Sequence, residues 1–333
     1  MNAMTTAVLI NLRSRRGTAS LERTVRRFLP DARLGLTRSL EEARRFLREL
    51  SAGPGAELVV SGGGDGTAIG LLNEFRRQGT PLPTLGLVPL GTGNGWARVT
   101  GSPAFPRAME RLAMHGRRPL PTTRFSLVEV DGVVSPWAGT GWDAEIVSDY
   151  QRIMHALPKK YAELFGGFPG YMVSLFGLSV PRLLVQKQAH VRLINTGSPA
   201  LWIDSEGRPR PVPNGGKGAV LYEGPHSVCG ASTTAEVGLG MRAFPFAHAV
   251  PGRMAVRIYA AGTLEGTWNI PQIWRGTHPL PKDNHWLLDG CRVEFDRPVN
   301  FEIGGDVTGP RTSAEFNLAR ETVDVLDWRR VAA

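Results

Sequence analysis

Residues 59–75 read VVSGGGDGTAIGLLNEF, a strand that runs through Gly62-Gly63-Gly64-Asp65-Gly66-Thr67 into a helix. No other stretch constrains the chain as much. Consecutive glycines let the backbone approach a ligand with no Cβ in the way. A helix starting there offers unsatisfied N–H groups and partial positive charge, which suit phosphate. Asp65 inside the loop would repel a bare anion. It fits if it holds a metal ion bridging phosphates, or accepts a proton from a hydroxyl nucleophile. The competing reading is a tight turn in which Asp65 caps the helix.

A second strand ends in a second glycine loop at LVPLGTGNGWA, residues 87–97. Two such loops at the carboxyl ends of strands in one sheet would line one crevice, where open α/β sheets bind ligands. Thr92 and Asn94 can hydrogen-bond phosphate or ribose. Neither loop is GxxxxGK[ST] or GxGxxG, so hydride chemistry has little support.

The surrounding pattern is consistent with this. AVLINL (7–12), ELVVS (57–61) and TLGLVP (84–89) read as buried strands. Between them lie helical patterns: Thr18–Leu29 with Leu21, Val25 and Phe28 on one face, and a helix opened by Ser39 at capping-box spacing to Glu42. Strands alternating with helices imply a parallel sheet covered by helices, a Rossmann-like three-layer α/β domain. After the turn-rich RRPLPTT near residue 120 the strand signal dominates. SLVEV, AHVRLI, GAVLYE, MAVRIYA, CRVEF (291–295) and VNFEI (299–303) fit short antiparallel strands of a β-sandwich, interrupted by a helical insert at about 143–180. The expected division is 1–121 and 122–306. Residues 307–333 either finish the sandwich or return to the first domain.

Length and charge set the outer bounds. A chain of 333 residues, 42% hydrophobic, makes two globular domains rather than a disordered tail. Lys and Arg exceed Asp and Glu by 39 to 30, a net charge of +9. Such a surface attracts phosphate, anionic lipid or nucleic acid, and no nucleic-acid motif accompanies it. Two cysteines, Cys229 and Cys291, cannot build a disulfide framework, and the opening MNAMTTAVLINL lacks the basic start of a signal peptide. The most apolar later stretch, Tyr161–Val180, is broken by Glu163 and Pro169, so it is not a membrane span. It is either ordinary core, a wall for a lipid, or a bilayer contact. Arg152, Lys159 and Lys160 either reach phosphates or form a solvated face. The expectation is a cytoplasmic protein with a peripheral contact at the anionic inner face of the membrane. Oligomeric state is left open.

SGGGDGT followed by PLGTGN resembles the catalytic domain shared by diacylglycerol kinases, sphingosine kinases, ceramide kinases and bacterial lipid kinases. NAD kinases share the GGDGT element and the fold, but not typically PLGTGN. The resemblance extends over nearly the whole chain. Asn11-Leu12-Arg13-Ser14 is similar to the family's Asn-Pro-x-Ser-Gly, with Arg15 where the glycine stands. GTGWDAEIV (139–147) resembles its Gly-x-Gly-x-Asp-Ala segment, and FEIGGDVTG (301–309) sits where the family has Asp-Gly-Glu. The resemblance implies a lipid kinase that uses ATP and Mg²⁺ on a diacylglycerol or sphingosine-like hydroxyl. Asp65, Gly63, Gly64, Gly66 and Thr67 would hold the phosphates and the metal. Gly91, Thr92 and Asn94 would line the nucleotide site, completed by Asn11 and Ser14. Asp143 would lie at the lipid headgroup. Asp306 would be the general base, with Asp65 its competitor. Two departures stand out. The Asp-Gly-Glu is Gly304-Gly305-Asp306 here, and Pro251 replaces the Asp of an accessory metal loop. The alternatives are an NAD kinase-like phosphotransferase and a non-catalytic nucleotide- or lipid-binding protein.

Overall fold

The computed structural model describes residues 5–53, 55–116, 118–158, 161 and 168–331, and the side chains of Asp143, His155 and Phe168 also lie outside that description. The chain divides into two units, Met1–Phe125 with Glu321–Ala333, and Ser126–Arg320.

In the first unit, apolar runs make buried parallel strands: β1 (Thr6–Asn11), β2 (Arg33–Thr37), β3 (Leu58–Gly63) and β4 (Thr84–Pro89). They stand in the order β2-β1-β3-β4, so the chain reverses direction across the sheet between β1 and β3. Val8, Ile10, Val60 and Val88 pack with Val25 of α1 (Leu21–Phe28) and with Phe105, Met109 and Leu112 of the helix Phe105–His115. Ala7, Leu9 and Val59 alternate to the opposite face and are equally buried. That face needs a second helical layer, supplied by α2 (Leu40–Ala52) and α3 (Asp65–Gln78). The capping signal at Ser39 is realised. Its Oγ accepts from Glu42 N at 3.1 Å, and the Glu42 carboxylate reaches back to Arg38 N. α4 (Gly95–Val99) follows β4, and Phe105–His115 is α5.

The first unit extends past the expected boundary at residue 121. β5 (Thr122–Phe125) pairs antiparallel with the C-terminal strand Val323–Leu326, which itself lies parallel to β4. Only Glu321–Ala333 returns, because residues 306–318 pair elsewhere.

The second unit is antiparallel throughout. Its strands are β6 (Val128–Val130), β7 (Val133–Ser135), β8 (Trp137–Gly141), β9 (Ala189–Asn195), β10 (Leu201–Ile203), β11 (Pro209–Pro211), β12 (Val220–His226), β13 (Val228–Ser232), β14 (Met254–Tyr259), β15 (Asp283–Leu288), β16 (Gly290–Ile303) and β17 (Asp306–Leu318). The returning strand Val323–Leu326 is β18. CRVEF and VNFEI, expected as two strands, are one. β16 runs fourteen residues, with a register shift between Glu294 and Val299 where Pro298 interrupts the ladder. Its first part pairs with β9 and its last part with β8, so the two arms of the sheet share this strand. Val191 and Leu193 from one arm meet Val256 and Ile258 from the other in a single core. Cys229 and Cys291 are buried in that core and form no disulfide. The helical insert comprises α6 (Trp142–Ala156), α7 (Phe168–Ser174), a π turn (Leu175–Ser179) and α8 (Val180–Val185). Lys159 and Lys160, and residues 162–167 of the Tyr161–Val180 stretch, fall outside the described residues.

His226, at the end of β12, is buried, and its Nδ1 contacts Ala189 O at 2.9 Å. Burial pushes its pKa down from 6.5 to about 4. Between those values the unfolded chain takes up a proton that the folded chain refuses, so stability falls as pH drops through that window. The loss at this residue should approach roughly 3 kcal/mol by pH 4. Urea titrations from pH 7 to 4 should show it, and His226→Gln should flatten the slope by one proton. An unchanged slope in the variant would assign the effect to other groups.

Candidate nucleotide and phosphoryl-transfer site

Three loops converge at the carboxyl ends of β1, β3 and β4, next to the point where strand order reverses. The first, residues 11–17, folds back on itself. Ser14 N donates to Asn11 O at 3.0 Å, and Gly17 N donates to Ser14 O at 2.8 Å. Arg16 N then donates to Leu90 O at 2.9 Å, tying this loop to the one after β4. A Cβ on Gly17 would sit 2.0 Å from Asn11 O, so the turn requires glycine there. Gly17, two residues past Arg15, is the glycine on which this turn depends, and nothing in the local pattern revealed it. Arg13, Arg15 and Arg16 stand exposed on this loop.

The second loop joins β3 to α3. Gly64 occupies the cap position, and no side chain caps the helix, so its first N–H groups are presented in the way anion sites require. Asp65 and Gly66 are its first two residues. Thr67 Oγ1 accepts from Asn11 Nδ2 at 2.9 Å, which joins the first loop to this helix.

The third loop, between β4 and α4, lies directly on the second. Leu90 N and Gly91 N both donate to Gly63 O, at 2.8 and 3.1 Å. A Cβ on Gly91 would be 2.5 Å from Gly64 Cα. Asn94, left-handed at φ 49°, closes the loop from inside: its Oδ1 accepts from Gly91 N at 3.0 Å and its Nδ2 donates to Gly91 O at 2.7 Å. Thr92 is half-buried within the same turn.

Asp65 joins the second and third loops. Its Oδ2 accepts from Gly95 N at 2.8 Å and its Oδ1 from Trp96 N at 3.0 Å. The carboxylate thus caps α4, a helix thirty residues on, rather than α3, which it begins. Trp96 is fully buried, edge-on to Phe125 with ring centroids 6.0 Å apart, and this fixes α4 in the core. Sequence spacing gave no sign of this link. Among the described residues no group of three His, Cys, Asp or Glu side chains is placed to hold a metal ion. Ser61 Oγ, buried beneath the loops in a small hollow shared with Gly64, Asp65 and Asn94, has no hydrogen-bond partner.

The other two expected residues belong to the second unit. β8 ends in Gly139-Thr140-Gly141, where a Cβ on Gly141 would lie 2.2 Å from Ser227 O. α6 begins immediately after, with Gly141 as its cap and Asp143 as its second residue. The Asp143 side chain lies outside the description. Asp306 follows Gly304 and Gly305, both at positive φ, in the tight hairpin between β16 and β17. The residue is exposed, yet enough protein surrounds it at longer range that partial desolvation raises its pKa from the ordinary aspartate value. Glu302, the other acid of this segment, is buried in the sheet opposite Gly139.

Parallel strands with three glycine-bearing loops at the switch point, one opening onto an uncapped helix N-terminus, form the kind of arrangement in which open α/β domains bind phosphate. Residues 5–125 match the family model of the diacylglycerol kinase catalytic domain. Over most of its length the chain is similar to proteins named "probable lipid kinase". One from Citrobacter koseri is 24% identical over 290 residues, covering 84% of this chain and 78% of the relative. One from Salmonella arizonae is 26% identical over 291 residues with the same coverage. A solved diacylglycerol kinase structure from Bacillus anthracis covers both chains completely at 13% identity, with a TM-score of 0.62, and so shares the fold. The chain is lipid kinase-like.

Proposed function

We propose that this chain is an ATP-dependent lipid kinase that phosphorylates a hydroxyl of a diacylglycerol or sphingosine-like lipid. The observation that carries the proposal is the interlocked pair of glycine loops, with backbone N–H groups at an uncapped helix N-terminus. That arrangement suits a triphosphate, and the lipid-kinase relatives supply the acceptor class. In this reading Asn11, Thr67, Asp65 and Asn94 hold the loops in shape, while Gly63, Gly64, Gly66, Gly91, Thr92 and Ser14 line the nucleotide. Mg²⁺ arriving with ATP would neutralise charge on the transferring phosphoryl group. The lipid oxygen attacks the γ-phosphorus, its proton passes to Asp306, and ADP leaves. Asp143 would orient the headgroup.

Asp306 has one methylene fewer than the family's glutamate, which lengthens the proton transfer. Asp306→Glu should therefore keep or raise turnover, and Asp306→Asn should lower it roughly 10²–10⁴-fold. Because the Asp306 pKa is raised, kcat/KM of the wild type should decline on the acid side at a pH above that of an ordinary aspartate. A fully active Asp306→Asn variant would remove Asp306 from the base role.

Radiolabelled ATP offered with diacylglycerol, sphingosine or other long-chain alcohols in mixed micelles, and separately with NAD, tests the whole reading. Label should enter the organic extract and not NAD. Label in NAD would make the chain an NAD kinase-like enzyme. Nucleotide binding with label in no acceptor would make it a non-catalytic binding protein.

A further inference from the structure

We infer that the second unit carries a docking face for an anionic bilayer, formed by the end of α8 and by α9 (Thr263–Trp268). Leu184 and Val185 stand exposed at the end of α8, Val185 at 87%, and on α9 Leu264 and Trp268 stand exposed at 71% and 81%. Two hydrogen bonds hold these elements side by side. Thr263 Oγ1 donates to Leu183 O at 2.9 Å, and Gln188 Nε2 donates to Ala261 O at 2.8 Å.

The opposite side of α8 is anchored by charge. Arg182 donates to Glu145 at 2.7 Å and to Asp149 at 2.9 Å. Ser179 Oγ, from the π turn, donates to the same Asp149 at 2.8 Å, and Arg152 pairs with its other oxygen. Asp149 is buried, so α8 cannot roll its apolar side inward without stripping a buried carboxylate of its partners. Four large apolar groups presented on a fixed support are not scattered surface hydrophobes.

The charges beside the patch select its occupant. Exposed Lys187 lies two residues past Val185, and exposed Arg275 ends α10 (Ile270–Arg275), the helix that follows α9. Glu265, the acid on α9, is neutralised by Lys282 at 2.6 Å. A tryptophan at the edge of an apolar patch flanked by cations matches the headgroup region of an anionic membrane. A second copy of the chain would bring like charges together. No helix of the described residues is long and apolar enough to cross a bilayer, which fits contact from one side.

The inference extends the lipid-acceptor reading without depending on it. Cosedimentation with phosphatidylglycerol–phosphatidylcholine vesicles and with pure phosphatidylcholine vesicles, in the absence of ATP, tests it. Wild type should pellet with the anionic vesicles, and less so as salt rises past about 0.1 M. The Leu264→Glu, Trp268→Glu double variant should keep its circular dichroism and lose at least ~10-fold in partition. Tryptophan emission should shift blue on binding in wild type and less so in Trp268→Phe. Failure of wild type to bind, or equal binding by the double variant, would overturn the proposal. So would a wild-type dimer that the double variant splits, since the face would then belong to a second copy. No turnover enters this assay, so its failure leaves the kinase reading to be judged on phosphate transfer.

Discussion

Asp65→Asn should lower both stability and turnover. Its two carboxylate oxygens accept the N–H groups of Gly95 and Trp96. An amide keeps one acceptor and turns an NH₂ group toward the other N–H. Losing one charge-assisted bond and leaving a buried donor unmatched should cost the first unit about 2 kcal/mol. The glycine loops would then no longer be held in register. A misplacement near 1 Å at a phosphoryl-transfer site costs on the order of 10² in rate, so ATP-dependent turnover should fall at least that far. The stability measurement separates two roles. A variant of unchanged stability and no activity would make Asp65 a ligand of the metal or the base itself. A variant that keeps both would give it neither role.

Gly91→Ala should do comparable damage by a different route. The new methyl group would lie 2.5 Å from Gly64 Cα and 3.1 Å from Gly64 N, and both are backbone atoms that cannot swing away. The loops must separate, with a penalty of about 1–3 kcal/mol for overpacking and a loss of ATP affinity of roughly 10-fold or more. Gly70→Ala is the matched control. Gly70 lies inside α3, and a Cβ there meets nothing within 4 Å, so alanine should stabilise the helix by about 0.5–1 kcal/mol and leave nucleotide binding intact. Calorimetric titration of ATP with thermal unfolding of both variants checks the pair. Equal ATP affinity in Gly91→Ala and wild type would show that the contact between the loops is not part of the site.

The glycine loops were legible in the sequence because each is a local event, a strand ending in residues that only a close backbone approach requires. The bonds that hold them were not, because they are long-range. Nothing in the spacing says that Gly95 and Trp96 bring their N–H groups to Asp65, or that Arg16 reaches the Leu90 carbonyl. The turn reading has Asp65 cap its own helix, whereas its carboxylate caps another. The same limit explains the domain boundary. β5 reads as the opening of the β-rich half, but its partner β18 arrives from the far end of the chain. β16 reads as two strands because Asp296-Arg297-Pro298 looks like a turn. The ladder with β17 absorbs those residues as a bulge and resumes at Val299.

The central claim is that the loops after β1, β3 and β4 together hold the triphosphate. Amide hydrogen exchange with and without ATP and Mg²⁺ tests it most directly. Saturating ATP should slow exchange at residues 12–17, 63–67 and 91–96 together, with little change across the β-rich second unit away from its own acceptor residues. ATP binding that leaves all three loops exchanging at their original rates would contradict the account.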